Sequence, residues 1–195
     1  MMAFGVTFLL ASNGHTTFIR NEVFKNEFLL WSDVIKKSPN LARPYNNLGL
    51  ALKEKKQYNE AISYYIKALK INPNYVLTLS NLGNALMLQG KLNQAIPELK
   101  KALKINPDFA DAHQNLGTVY LKKRFYDDAI FEFKKALSIN PDNADAHYNL
   151  GLVYGEKGLV NLAVAEIREA MRLKPSLNKV FMKKDQGQNN RNLLF

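Results

Sequence analysis

The stretch ADAHQNLGTVYLKKRFYDDAIFEFKKALSINPDN, residues 110–143, recurs along the chain at a spacing of 34 residues. Shifting it by that spacing aligns Leu116-Gly117 with three other Leu-Gly pairs, and Pro141 with three other prolines. The units are 42–75, 76–109, 110–143 and 144–177. A fixed period of this size, with small residues and a proline in register, predicts an array of stacked helix pairs.

The third unit resembles the tetratricopeptide repeat. Its Leu-Gly pair, two spaced alanines, interleaved aromatic residues and closing proline match the pattern of that family. These residues are Leu116, Gly117, Tyr120, Ala129, Phe133, Ala136 and Pro141. The resemblance covers 42–177 and implies an all-α fold, a right-handed superhelix (an α-α solenoid) of four full repeats. It also implies that the first helix of each repeat, helix A, lines the concave groove.

Apolar residues spaced at i, i+3 and i+4 predict two helices in each unit. In the third unit these are helix A at 112–123 and helix B at 128–138. The glycine of each Leu-Gly pair is expected to let helix A press on its own helix B, opposite an alanine. Pro97 is expected within the first turn or so of its helix B. Each helix B is expected to be N-capped by a polar side chain: Asn59, Asn93, Asp127 and Asn161.

The segments that flank the repeats differ from them in composition. Residues 1–14 begin with an uncharged apolar run that is too short to span a bilayer, which takes about 20 residues. Residues 15–41 carry the outer-helix spacing of a repeat and a closing Pro39, but lack the Leu-Gly pair, which indicates a degenerate cap repeat. Residues 178–195 are expected to form a capping helix, with Val180 and Phe181 over the last repeat, and a flexible polar tail.

Composition limits the function classes. The hydrophobic content of 47% is sufficient for a folded core, and the net charge is +10. Because the chain has no cysteine, disulfides and thiolate metal sites are excluded, but the cellular compartment stays undetermined. The histidines His113 and His147 recur one repeat apart without a second ligand one turn away, so they are expected to pack and not to bind metal. No catalytic residue, cofactor or metal is predicted, and the chain is expected not to be an enzyme.

The junction before the first repeat resembles a second arrangement. In some membrane proteins with C-terminal tetratricopeptide arrays, a similar segment follows the last membrane helix. The matching residues are Arg20-Asn21, Leu30-Trp31, Asp33-Val34, Ser38-Pro39, Ala42-Arg43 and Asn46-Asn47-Leu48-Gly49. The resemblance implies an alternative in which the chain is the substrate-presenting or targeting part of a membrane-associated, glycosyltransferase-like protein. The location stays open between the cytoplasm and a membrane, and it includes the periplasmic face for a fragment of that kind.

The sharpest candidate for binding is a ladder of asparagines at the sixth position of every unit: Asn47, Asn81, Asn115 and Asn149. An amide side chain carries both donors and an acceptor, so it can pair with the backbone of an extended peptide without reading its sequence. The superhelix of O-linked N-acetylglucosamine transferases has a similar ladder. The alternative is that these residues are simply typical of helix A in this family.

The other candidates for the groove are mixed in character: Arg43, Lys53, Asn84, Asp111, Gln114, Thr118, Lys122 and Tyr148, with Leu50, Leu77, Met87, Leu152 and Glu156 beside them. A carboxylate clamp of the kind that holds acidic chaperone tails is rejected. It needs basic partners on successive A helices, and Ser80, Asp145 and Asn149 stand at those positions.

Most of the excess positive charge lies late on the B helices. This pattern fits a solvated face whose cations complement the helix dipole, or attraction to an anionic membrane. Nucleic acid is the weaker alternative because aromatic residues do not interleave the lysines. The leading hypothesis is a protein-interaction scaffold that binds an extended peptide or partner helix, and self-assembly through the repeat ends is a third possibility.

Overall fold

The computed structural model describes residues 27–177, and every regular element within this range is a helix. The predicted all-α array of helical repeats is therefore confirmed. The predicted segments 1–14 and 178–195, and the first part of the cap repeat, lie outside the described residues. The residues form two compact units, divided between Ile71 and Asn72. The first contains α1 (27–37 among the described residues), α2 (Ala42–Glu54) and α3 (Tyr58–Ile71). The second contains α4 (Val76–Leu88), α5 (Leu92–Ile105), α6 (Ala110–Lys122), α7 (Tyr126–Ile139), α8 (Ala144–Glu156) and α9 (Val160–Leu173).

The second unit is built in two layers. Each A helix packs on its own B helix, as α4 does on α5, α6 on α7 and α8 on α9. The A helices also approach one another in sequence, α4 with α6 and α6 with α8, whereas among the described residues the backbones of the B helices stay farther apart. Helices α5 and α7 instead contact the A helix that follows. The A helices therefore form the inner layer of this unit and the B helices the outer layer.

The glycines of the Leu-Gly pairs do lie against helix B, but their nearest neighbours there are large side chains and not the predicted alanines, except that Gly151 also lies against the carbonyl oxygen of Ala163. A Cβ at Gly117 would meet the ring of Phe133 at 2.8 Å, and one at Gly83 would meet Cγ of Leu99 at 2.5 Å. The alanines are fully buried beside these contacts: Ala61, Ala68, Ala95, Ala102, Ala129 and Ala136 each have no exposed surface. The large residue four positions after the first alanine is thus the actual partner of the glycine.

The predicted B-helix caps were wrong by two residues in α5, α7 and α9. Helices α5, α7 and α9 are preceded by Lys91, Phe125 and Leu159, and no side chain caps them. The polar residues expected there lie inside the first turn instead. The helices start earlier because the turn before them closes through a left-handed residue at one fixed place per repeat. Those residues are Lys56, Gly90, Arg124 and Gly158, with φ between 61° and 78°.

The position of Pro97 also differs from expectation. It is the sixth residue of α5, beyond the first turn, and its side chain is only partly covered. A proline there removes one backbone hydrogen bond and crowds the carbonyl of Asn93. Replacing Pro97 by alanine is therefore expected to raise the free energy of unfolding by about 1–3 kcal/mol, measured from urea denaturation midpoints. The matched control is Ala165→Pro at the same place in α9, which is expected to lower it by about 3 kcal/mol. If neither Ala165→Pro nor Pro97→Ala changes the free energy of unfolding, proline does not destabilise a B helix at this position.

Candidate functional site

The inner face of the second unit is defined by one stripe of side chains on each A helix, spaced at i, i+4, i+7 and i+11. Residues at this spacing lie on one side of a helix. The stripe on α4 is Leu77, Asn81, Asn84 and Leu88; that on α6 is Asp111, Asn115, Thr118 and Lys122; that on α8 is Asp145, Asn149, Leu152 and Glu156. Since α4, α6 and α8 contact in sequence, the three stripes lie side by side.

Asn115 is the centre of a hydrogen-bond network that joins two of the inner helices. The Nδ2 of Asn84 donates to Oδ1 of Asn115 at 2.9 Å, and Nδ2 of Asn115 donates to Oγ of Ser80 at 3.1 Å. Ser80 is buried, and the two asparagines are half-buried. The amide of Asn115 is thereby fixed in orientation. Because an amide has two N–H groups and two acceptor lone pairs, one of each is left for a ligand.

Two other predicted groove residues on α6 are occupied within the repeat. Gln114 accepts from Nδ2 of Asn143 at 2.6 Å, and Oδ1 of Asn143 in turn caps α8 by accepting from the backbone N–H of Ala146. The hydroxyl of Thr118 donates to the carbonyl oxygen of Gln114. Gln114 therefore links α6 to the cap of α8, Thr118 bonds within α6, and both contribute less to a ligand than Asn115 does.

The remaining predicted residues of the second unit lie on exposed or half-buried surface of the inner helices. Asp111 is exposed near the start of α6, and Lys122 ends that helix. Tyr148 and Asn149 are half-buried on α8, and Asn149 has no hydrogen-bond partner among the residues that the structure describes. Exposed leucines border the amides: Leu77 and Leu88 on α4 and Leu152 on α8.

One groove residue was wrongly predicted. Met87 is buried, at 7% exposure, whereas the next residue, Leu88, is 44% exposed. The structure places Leu88 on the same stripe as Asn81, and Met87 faces the core.

Three predicted residues belong to the first unit, on α2. Arg43 lies in the first turn of that helix, and Asn47 and Lys53 are half-buried. Asn47 accepts a hydrogen bond from Nδ2 of the buried Asn46 at 3.3 Å. A cavity of about 390 Å³ in this unit is lined by Phe28, Leu52, Gln57, Glu60 and Tyr64.

The histidines pack on the B helices, but they also form polar links that the sequence did not reveal. The Nδ1 of His113 lies 2.6 Å from Oε2 of Glu132 on α7, and its Nε2 lies 2.9 Å from the carbonyl oxygen of Pro107. His147 repeats this arrangement with Glu166 and Pro141 at the same distances. Because a carboxylate and a carbonyl both accept, both bonds are made together when the ring carries a hydrogen on each nitrogen. Each histidine thus ties its A helix to its B helix and to the preceding loop.

This link gives a stability prediction with an internal control. The side chains of His113 and Glu132 are only 10% and 12% exposed. Replacing Glu132 by glutamine is expected to lower the free energy of unfolding by about 1–3 kcal/mol, because it leaves at most a neutral hydrogen bond in place of a buried charge-assisted one. Glu98 occupies the same position in α5, where the histidine is replaced by Leu79. Glu98→Gln is therefore expected to change the urea midpoint very little, and an equal loss in both variants would exclude the proposed role of His113.

A recurrence within the sequence could have revealed this pair. His113 and His147 stand one period apart, and so do Glu132 and Glu166, always 19 residues later. No comparable signal exists for the network at Asn115, because Ser80 and Asn84 differ from their counterparts in the other repeats.

Within residues 27–177 no group of histidines and carboxylates is placed to hold a metal ion. Over the same range, no helix combines the length and apolar character needed to cross a bilayer.

Comparison with protein families gives matches to tetratricopeptide-repeat models along most of the array. The matched residues are 42–75, 64–96 and 144–177 for models described as tetratricopeptide repeat, and 83–123 with 126–158 for one described as TPR repeat. Together these matches cover more than half of the chain. The curated proteins provide no match.

Solved structures of helical-repeat proteins are similar to this chain. A structure of MamA is 26% identical, covers 88% of this chain and 99% of its own, and has a TM-score of 0.67. TTC0263, a thermophilic TPR protein of Thermus thermophilus, is 20% identical, with coverages of 88% and 93% and a TM-score of 0.72. YrrB, described as a TPR protein with an unusual peptide-binding site, is 21% identical, with coverages of 87% and 88% and a TM-score of 0.64. For TTC0263 and YrrB, which are 20% and 21% identical to this chain, the similarity shows a shared fold.

Proposed function

Because the chain belongs to the tetratricopeptide repeat family, a family of protein-interaction scaffolds, we propose that it binds an extended peptide on the inner face of its second unit. The bound segment lies across α4, α6 and α8, and its backbone pairs with the asparagine amides. The chain acts in this role without catalysis, and its partner is a protein or a peptide.

The observation that carries this proposal is the state of the Asn115 amide. Two hydrogen bonds hold it in place, yet one N–H and one acceptor position remain. A side chain that is already ordered loses little conformational entropy when a ligand binds, which favours affinity. Asn81 and Asn149 stand at the same place on the helices on either side, so an amide side chain recurs at this position along the stack.

Two further features favour an extended peptide whose binding does not depend on one charged residue of the peptide. The inner face carries carboxylates as well as Lys122, so it is not the cationic cleft that an acidic tail would need. The exposed leucines Leu77, Leu88 and Leu152 supply apolar area for alternate side chains of the peptide. The description of YrrB as a peptide-binding protein of the same fold is consistent with this use.

The proposal is tested by selecting binders from a random peptide display library on the immobilised protein. We expect the selected peptides to share spacing of apolar residues and to lack a fixed charged motif. N-methylation of their central backbone amides is expected to remove binding, because it removes the donors that pair with asparagine oxygens. Peptides that bind equally well after N-methylation would contradict a backbone-directed site.

A further inference from the structure

The outer face of the second unit carries a second repeated stripe, on the B helices, at spacing i, i+3, i+4 and i+7. It begins at Pro97 on α5, Phe131 on α7 and Ala165 on α9, and it points away from the A helices. Seven cations follow on these stripes, together with one carboxylate, Glu169: Lys100, Lys101, Lys104, Lys134, Lys135, Arg168 and Arg172.

Six of these seven cations have no carboxylate partner among the described residues, and Arg172 is the exception. Arg172 is held by Glu169 through two hydrogen bonds of 2.7 and 2.9 Å, and Glu169 holds the pKa of that guanidinium above its usual value. Lys157 pairs with Asp127, and Lys174 pairs with Asp145 at 2.9 Å. The positive charge of the outer face is therefore left for an external anion.

Helix-dipole complementarity does not account for the whole stripe. Stabilisation of a cation by the helix dipole falls off within the last turn of a helix. Lys104 lies in the last turn of α5, but no basic residue lies in the last turn of α7. Lys134 and Lys135 are thus one turn too early to benefit fully.

An exposed aromatic ring lies in the middle of the cations. Phe131 is 57% exposed, the largest fraction among the big apolar side chains that the structure describes. The Nζ of Lys135 lies 5.9 Å from the centroid of its ring. Exposure of such a ring to water is unfavourable by itself, and burial in an apolar phase would recover that free energy.

We propose that this outer face docks on an anionic phospholipid membrane, with the ring of Phe131 at the level of the headgroups and the lysines against lipid phosphates. An array of unpaired cations around a single apolar ring fits a lipid surface, where lysine stems lie along the acyl boundary and their ammonium groups stay hydrated. Single-stranded nucleic acid fits less well, because it requires successive aromatic residues on which bases stack. The peptide site on the inner face stays open in this orientation, since it lies on the other layer.

The test is co-sedimentation of the full chain with phosphatidylcholine–phosphatidylserine vesicles, with phosphatidylcholine alone as the neutral comparison. We expect binding to the anionic vesicles only, and loss of most of it at about 0.5 M salt. Lys134→Gln with Lys135→Gln is expected to lower the partition coefficient about 25-fold, at about fivefold per lysine. Phe131→Ala is expected to lower it about tenfold.

The matched control is Lys56→Gln with Lys91→Gln, which removes the same charge from exposed turns between A and B helices. If that control lowers binding as much as Lys134→Gln with Lys135→Gln, the effect is one of net charge and the outer face is not the site. Absence of vesicle binding, or tight binding of a single-stranded oligonucleotide in its place, would also overturn the proposal. Peptide binding by the Lys134/Lys135 variant should be unchanged, which separates this test from that of the inner face.

Discussion

Replacing Asn81 and Asn115 together by alanine is expected to remove peptide capture by the inner face. Asn115 has one N–H and one acceptor position left for a peptide backbone, Asn81 presents a second amide on the neighbouring helix, and each hydrogen bond to the peptide contributes about 1 kcal/mol net. Loss of both side chains should therefore weaken binding by about 2–4 kcal/mol, or roughly 30- to several-hundred-fold in Kd. The measurement is fluorescence anisotropy with a peptide selected on the wild-type protein.

The effect on folding is expected to be small but measurable. Removal of the Asn115 amide breaks two bonds between α4 and α6, to Asn84 and Ser80. That cost of about 1 kcal/mol per bond is partly offset because alanine is a better helix former than asparagine. Circular dichroism should show unchanged helicity and a modestly lowered melting temperature. If helicity is lost together with binding, the loss of binding results from unfolding and does not support the proposed site.

A matched control uses two asparagines at corresponding places on the outer layer. Asn93 and Asn161 are exposed in the first turns of α5 and α9. The Oδ1 of Asn93 accepts a hydrogen bond from Nζ of Lys123 at 2.7 Å. Asn93→Ala with Asn161→Ala should leave Kd unchanged. Unaltered binding by the Asn81/Asn115 variant would remove the ladder from the proposed site, and the exposed leucines would then be its remaining candidates.

The repeat architecture was predictable because it depends on local rules. A 34-residue period, helical spacing of apolar residues and a proline after each helix B determine which segments are helical and how they stack. The same rules did not predict where each helix B starts, because that start depends on the conformation of the preceding turn. The left-handed turn residue is glycine in two repeats but Lys56 and Arg124 in the others, so its recurrence is hidden in the sequence, and the caps were placed too late.

The side-chain network at Asn115 lay beyond the reach of periodicity. A repeat predicts that the sixth residues lie in a line, but whether their amides face a ligand or each other depends on neighbours that the repeat does not determine. In this chain Ser80 and Asn84 are those neighbours, and they engage one donor and one acceptor of Asn115. The position of Met87 was also beyond periodicity. Neighbouring residues of a helix point in different directions, so Met87 is buried in the core while Leu88 is exposed.

The glycine of each Leu-Gly pair is expected to be the most sensitive position for stability, with Gly117 as the representative case. A Cβ at this position would lie 2.8 to 3.1 Å from three carbons of the Phe133 ring, which is fully buried. Overpacking of this kind costs about 1–3 kcal/mol. Gly117→Ala regains up to about 1 kcal/mol of helix propensity, so its net loss is moderate.

Valine at this position places two further carbons in the same contact, and its branched Cβ lowers the propensity gain. Gly117→Val is therefore expected to lower the free energy of unfolding by about 3 kcal/mol or more. Gly155 is the opposite case, because it lies within α8 and, apart from its chain neighbours and the backbone of its own helix, no atom stands within 4 Å of the place that a Cβ would take. Gly155→Ala should raise the free energy of unfolding by about 0.5–1 kcal/mol through helix propensity alone. The three variants are compared by urea denaturation. If Gly117→Ala stabilises the protein as much as Gly155→Ala does, the contact with Phe133 relaxes freely. The glycine is then not required for the packing of helix A on helix B.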